Sequence, residues 1–197
     1  MLKTTYKDAF RSIQLNSGVL LSGADIGHID GAEAMKALID AASGNGEGFI
    51  GACAGGCRFS AVPRITRFSR DGEVFDRPVG VVVIKWDVRL EVSLLDFKAD
   101  NLLRILNDSS ILHINDTADM LNMNTSALNQ AGSNLIWCGD LSGGGLLVVE
   151  LKNALCVGGL AFDTASDGEG LIHAVFAPQV GSFFNPDDPP FNILYLH

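Results

Sequence analysis

The sequence predicts a mainly β fold, and three observations carry that expectation. From Ile84 onward the apolar residues fall on every second position, at Ile84, Trp86, Val88, Leu90, Val92 and Leu94, with Lys85, Asp87, Arg89, Glu91 and Ser93 between them. Such alternation describes a strand with one buried and one wet face, and it outruns the roughly five or six residues usual in globular sheets. A second alternation places Leu147, Val149, Leu151 and Leu155 against Glu150, Lys152 and Ala154. Third, the C-terminal part reads as successive strands at 134–138, 146–156, 160–162, 171–176 and 191–196, separated by Gly143-Gly144-Gly145, Asp167-Gly168 and Asn185-Pro186. A long strand with a charged wet face points toward a structural β protein rather than a pocket enzyme.

The remaining elements follow in order. Leu15 to Leu21 is a short first strand. Asp30 precedes Glu33 by one capping interval, and Met35, Leu38, Ile39 and Ala42 form the apolar stripe of a short helix over 31–43. It ends at Ser43-Gly44-Asn45-Gly46. Glycine-rich turns at 51–56 lead to a strand over 57–70, and Asp71-Gly72 and Arg77-Pro78-Val79-Gly80 are turn signals before the long strand. Asp96 caps a second helix, 97–106, with Ala99, Leu102, Leu103 and Leu106 as its stripe. The six alternating residues Ile84 to Leu94, with Leu102, Leu103 and Leu106, are the predicted core. Asn107 to Ser133 is polar and weakly periodic, and reads as a long connection with a helical turn near Met120–Met123. Connections this long tend to be functional.

At 197 residues the chain fits one domain, 1–197. Its 47% hydrophobic and 19% charged residues point to buried subunit contacts. A net charge of −9 argues against a protein that grips nucleic acid by neutralising phosphates. Met1 to Asn16 carries Lys3, Lys7, Asp8 and Arg11 and no apolar run, so no secretory leader is expected and folding is expected in a cytoplasm. Gly145 to Phe162 is broken by Glu150, Lys152 and Asn153, so no membrane span is expected.

Cys53, Cys57, Cys138 and Cys156 lack the second half of a metal clip and read as reduced structural thiols. Neither Gly51–Gly56 nor Gly143–Gly145 has a phosphate-loop ending. No local signature supports Cys53 or Cys57 as a nucleophile beside His28 or His173. The Asp163–Gly168 run departs from calcium-loop spacing. No catalytic constellation, metal or cofactor is therefore expected.

These ordered features resemble the tail tube (major tail) proteins of bacterial viruses. The resemblance rests on Leu15-Asn16-Ser17-Gly18-Val19-Leu20; on Gly51-Ala52-Cys53-Ala54-Gly55-Gly56 with Phe59, Arg64 and Asp71-Gly72; and on the long strand followed by helix 97–106. Leu151–Leu155, His173-Ala174-Val175-Phe176 and Pro189–Ile193 complete it, while the region about 24–48 resembles a helical insertion.

The resemblance implies a β-sandwich or open barrel with a flanking helix, closing as a hexameric ring whose copies stack into a hollow tube. The partners it implies are a sheath or terminator protein, a tape measure inside the lumen, and DNA that passes transiently without specific binding. The location it implies is a virion tail assembled in the host cytoplasm. On that reading Lys85, Asp87, Arg89, Glu91 and Ser93 face the lumen, with Glu150 and Glu73 completing an acidic wall. The 107–133 connection and the 24–48 insertion then lie at ring edges, with the stripe on helix 31–43 as a docking face. The alternatives are the inner tube of a contractile injection or secretion device, and a soluble β-sandwich binding module.

Overall fold

The computed structural model describes residues 14–24, 26–27, 29–45, 48–67, 81–106, 109–115, 117–123, 132–164, 166, 168–179 and 188–197. The turns expected at Asp71-Gly72, Arg77–Gly80 and Asn185-Pro186 lie outside them, as do Glu73 and His28.

Among the described residues, ten strands and two helices follow in chain order. They are β1 (Val19–Ser22), α1 (Ala32–Asn45), β2 (Phe49–Arg67), β3 (Val81–Leu94), α2 (Ala99–Ile105), β4 (Ser109–Asn115), β5 (Ala118–Met123), β6 (Ser133–Asp140), β7 (Leu146–Cys156), β8 (Ala161–Asp163), β9 (Leu171–Pro178) and β10 (Phe191–Leu196). The fold is mainly β, built on an eight-stranded sheet of order β10-β7-β6-β1-β2-β3-β9-β8. Its strand pairs are antiparallel.

A further pairing of β7 with β9 closes the sheet. Residues Leu146 to Leu151 of β7 pair with β10, and Ala154 to Cys156 pair with β9. Asn153 lies between the two stretches with φ +49°, in the left-handed region. The reversal there shifts the alternation by one residue. Val149 and Leu151 face the barrel interior before it, and Ala154 and Cys156 after it. Asparagine tolerates this conformation better than a β-branched residue would. Its side chain helps hold the site by donating from Nδ2 to the Gln179 carbonyl at 3.2 Å.

The barrel interior is the main core, with Leu20, Ile50, Leu90, Leu94, Leu151 and Ile172 among its buried residues. A second core lies on the outside of the β10-β7-β6-β1 half, where Met35 of α1 packs with Leu21, Ile136, Cys138 and Val148. Leu38, Ile39 and Ala42 pack against the same cluster. The α1 stripe expected to be a docking face is therefore used within the chain. Strands covered on both faces need apolar residues on both, and β6 is accordingly buried from Leu135 to Gly139.

The long strand forms as expected, but its outer portion leaves the core. Val88, Leu90, Val92 and Leu94 are buried, while Ile84 is 53% exposed. Trp86 is half-buried at the core margin, edge-on to Phe191 with ring centroids 5.4 Å apart. Its indole N–H is buried with no acceptor among the described residues, which offsets part of the gain from packing the ring. The correction at Ile84 follows from topology: β9 pairs only with Leu90 to Leu94, and the β2 ladder steps from Lys85 to Val83, so among the described residues Ile84 lies at a bulge beyond the reach of β9.

Helix α2 also rotates from the expected stripe. Ile105 and Asn101 are its buried residues, whereas Leu102, Leu103 and Leu106 are half-buried. The Asn101 Nδ2 donates to the Ile50 carbonyl. This polar anchor turns the Asn101/Ile105 face inward, and Leu102 packs only on the core edge. Asp96 sits before the helix, where its Oδ1 accepts the Lys98 backbone N–H at 3.3 Å.

Two further expectations are corrected. The glycine run at 51–56 lies inside β2, as a bulge and not as turns between strands. Cys53 pairs with Leu94 and Cys57 with Val92, so Ala54, Gly55 and Gly56 stand opposite Ser93 alone and β2 carries two extra residues. Gly55 and Gly56 take φ +67° and +88°, which glycine adopts without a Cβ penalty. The polar connection after α2 contains the β4–β5 hairpin, with strand at Met120–Met123 where a helical turn was expected.

The burial difference along β3 gives a direct test. Leu90→Ala should destabilise by about 2–5 kcal/mol as a fully buried large-to-small change, and Ile84→Ala should change stability by less than roughly 0.5 kcal/mol. Urea unfolding of the two variants measures both. Equal losses would show that the far end of β3 is packed in the core.

Candidate functional site: the charged face of the hairpin arm

Strands β2 and β3 continue past the barrel as a two-stranded arm. Strand β1 pairs with β2 only between Phe49 and Ala52, and β9 pairs with β3 only from Leu90. Beyond those limits each strand has only the other as a ladder partner among the described residues. The core-facing pairs are Phe59–Leu90, Ala61–Val88 and Pro63–Trp86. The outward pairs are Arg58–Glu91, Ser60–Arg89, Val62–Asp87 and Arg64–Lys85. Period-two alternation thus sets four cations and two carboxylates in two adjacent rows.

Asp87 is the hub of that face. Its carboxylate meets Arg64 Nε at 2.5 Å and Lys85 Nζ at 3.3 Å. Hydrogen bonds from Arg64 and then Lys85 hold its carboxyl below the usual carboxylate range. Glu91 reaches Arg58 Nη1 at 3.8 Å. Arg89 is exposed, with no carboxylate in ion-pair reach among the described residues. A cleft of about 880 Å³ runs beside the face, lined by Arg64, Lys85, Asp87 and Arg89 and, across it, Val157 and Gln179.

Lys85, Asp87, Arg89 and Glu91 therefore share the face on which the alternation placed them. Glu150 does not join them. It is 3% exposed, on the sheet face shared with Val148 and Ile136, and accepts hydrogen bonds from Asn134 Nδ2 at 3.1 Å and Asn192 Nδ2 at 2.6 Å. Paired strands on both sides and a covered face make its position interior, so it cannot contribute to an acidic wall. Arg58 and Arg64, on the opposing strand, complete the face instead. The signal for them was the every-second spacing of Arg58, Ser60, Val62 and Arg64.

Ser93 ends the β3 row differently. Its Oγ lies 3.0 Å from His173 Nδ1, and His173 Nε2 lies 3.0 Å from Asp163 Oδ2. These contacts tie β3, β9 and the three-residue β8 together. Asp163 is open to solvent, with a side chain 81% exposed. A separate cleft of about 510 Å³ is lined by Ser93, His173 and Cys57.

All four cysteines are free thiols. Burial pushes Cys53 and Cys138 up to about 12 and Cys57 to about 11, and raises Cys156 as well. A thiol held protonated is a poor nucleophile. Among the described residues no three His, Cys, Asp or Glu side chains gather as a metal site. No described helix is long and apolar enough to cross a membrane.

The chain matches none of the known protein-family models, and no curated protein matches its sequence. The functional reading rests on the arm, its edges and its charges.

The thiols set the sign of an alkaline pH dependence. Unfolded cysteines ionise near pH 8.5 while the folded ones stay protonated, so the folded state binds more protons above that point. Stability should fall as pH rises from about 8.5 through the folded-state values of about 11 to about 12. A Cys53→Ala/Cys138→Ala variant should lose part of that slope, as read by thermal unfolding across the pH series. A slope unchanged by the substitutions would assign the effect to other groups.

Proposed function

We propose that this chain is a structural subunit of a phage or phage-derived tail tube, assembling as a hexameric ring whose copies stack around a channel. The observation that carries the reading is the pair of long strand edges on the arm, Ala54–Arg67 of β2 and Val81–Arg89 of β3, without a second partner among the described residues. Long unpaired edges invite pairing with another chain, and assembly removes that liability. Val62, Ile65, Val82 and Ile84 on the arm are also exposed, at 56%, 50%, 41% and 53%. They would be covered by strand addition from a neighbour, and a heterologous contact of this kind closes into a ring when the rotation permits.

In this reading the arm and the barrel wall of successive copies form a shared sheet, and α1 stays on the outer side. The β4–β5 hairpin is the second assembly element. Two strands alone are marginal in water, and this pair exposes Leu112, Ile114 and Met120 at 49%, 58% and 45%. Covering that strip by the next ring accounts for its composition. Sheath or terminator and tape-measure proteins, a virion location and the passage of DNA belong to the same proposal. An inner tube of a contractile device would use the same edges.

A soluble binding module is the second reading. It is favoured by Phe97 and Phe162, which are exposed and edge-to-face with centroids 6.0 Å apart.

Size-exclusion chromatography with negative-stain imaging over a range of salt concentrations separates the two. Rings or tubes are expected. A stable monomer at high concentration under every salt condition would remove the tube reading. Deleting residues 112–130 should leave ring-sized particles but abolish long tubes, and normal tubes from that deletion would remove the hairpin from stacking.

A further inference from the structure

We propose that Ser93, His173 and Asp163 form a site that hydrolyses small esters, with the Ser93 hydroxyl as nucleophile and His173 as its general base. The activity goes beyond a structural role and does not depend on assembly.

Placement is the first argument. Strand β9 lies between β3 and β8, and His173 stands opposite Ser93 on one side and Ala161 on the other. Asp163, two residues beyond Ala161, shares that face. The Ser93 Oγ lies 3.0 Å from His173 Nδ1, and the Asp163 Oδ2 lies 3.0 Å from His173 Nε2. A carboxylate accepts hydrogen bonds and does not donate them, so it places the ring proton on Nε2. Nδ1 is then left with a lone pair aimed at the Ser93 hydroxyl. A nucleophile, a base and an orienting carboxylate, each within hydrogen-bond reach of the next, are the arrangement that activates a serine. The two ring nitrogens have swapped roles relative to the usual serine triad, and either can take the proton.

The cleft is the second argument. Ser93 and His173 line a space of about 510 Å³ together with Gly55, Gly56, Arg58 and Leu171, a size that suits a small ligand. The bulge sets the two glycines across from Ser93, and a Cβ built at either would meet nothing within 4 Å. A bulge takes backbone groups out of the regular ladder. An N–H of this stretch and the Arg58 guanidinium are therefore the donors for the oxygen that turns negative as Ser93 adds. Arg58 is held only loosely, 3.8 Å from Glu91. Their opposite charges, with Leu171 beside them, suit a short-chain, uncharged ester.

The Ser93 Oγ bonds to the ester carbonyl carbon while its proton passes to His173 Nδ1. The carbon–oxygen bond to the alcohol then breaks, and the departing alcohol takes the proton from Nδ1. Water adds to the acyl-Ser93 ester by the same transfer, releasing the carboxylic acid and restoring the hydroxyl. Asp163 touches no substrate atom. It is a positioning residue that keeps His173 in one tautomer and offsets the charge of the imidazolium. Its exposure weakens that help, so the expected catalysis is modest.

The test is hydrolysis of p-nitrophenyl acetate by the full-length protein, together with labelling by a fluorophosphonate probe, whose phosphorus bonds to an activated serine as fluoride leaves. The wild type should turn over the ester faster than buffer and carry the label on Ser93, as mapped by mass spectrometry. Ser93→Ala and His173→Ala should each lower kcat/KM by about tenfold or more. Asp163→Asn should lower kcat by roughly two- to fivefold with KM little changed, and Asp163→Glu should recover part of that loss. His113 pairs with Asp119 on the β4–β5 hairpin, with no hydroxyl among its described partners, so His113→Ala should leave the rate unchanged. Absence of turnover by the wild type, or of label from Ser93, would overturn the proposal whatever the variants do. So would wild-type turnover in Ser93→Ala, and so would equal losses in His113→Ala and His173→Ala, since exposed imidazole would then explain the hydrolysis. Circular dichroism of the variants checks that they remain folded.

Discussion

The structure depends on one strand serving two partners along the same edge. Strand β7 gives its first stretch to β10 and its last to β9, and the left-handed turn at Asn153 lets the edge change hands without turning apolar side chains outward. A one-residue slip in a strand would send every following side chain to the wrong face. Here the slip is built in, and Ala154 and Cys156 return to the interior that Val149 and Leu151 already face. Without it the sheet would stay open, and the edges of β7 and β9 would join those of the arm as unpaired backbone.

Closure divides the sheet into two regimes. The β10-β7-β6-β1 half has the barrel core on one face and the α1 core on the other, so it tolerates a polar group only when fully bonded. Glu150 meets that condition through Asn134 and Asn192. The β2-β3-β9 half has a single core, and its other face can carry charge. The arm extends from this second half, where no further layer among the described residues buries its apolar residues.

The charged face follows from the same division. Asp87 gathers Arg64 and Lys85 in a wet, screened setting where each pair contributes little to stability. The organisation of these charges therefore matters more for what approaches the face than for holding the strands together. Backbone pairing along the arm and the Phe59, Trp86 and Phe191 ring contacts at its base carry the local structure.

The sequence by itself determined the β class, nearly all the C-terminal strands, the helix of Met35 and the identity of the charged row at Lys85, Asp87, Arg89 and Glu91. Period-two and helical spacings report which side of an element is apolar, and that information is local. It was insufficient where burial depended on what lay across the sheet. Ile84 and Leu90 occupy equivalent places in the same alternation, but β9 pairs beside Leu90 and the β2 ladder skips Ile84, and one is wet and the other dry. Glu150 looks like a solvent-facing residue in its own strand, and only its neighbours on β6 and β10 enclose it. Likewise the glycines at 55 and 56 announce unusual backbone, but pairing with β3 made them a bulge and not a turn. Tertiary structure settled these points because burial is a property of all the layers that meet at a residue, and a strand's own pattern records only its preference.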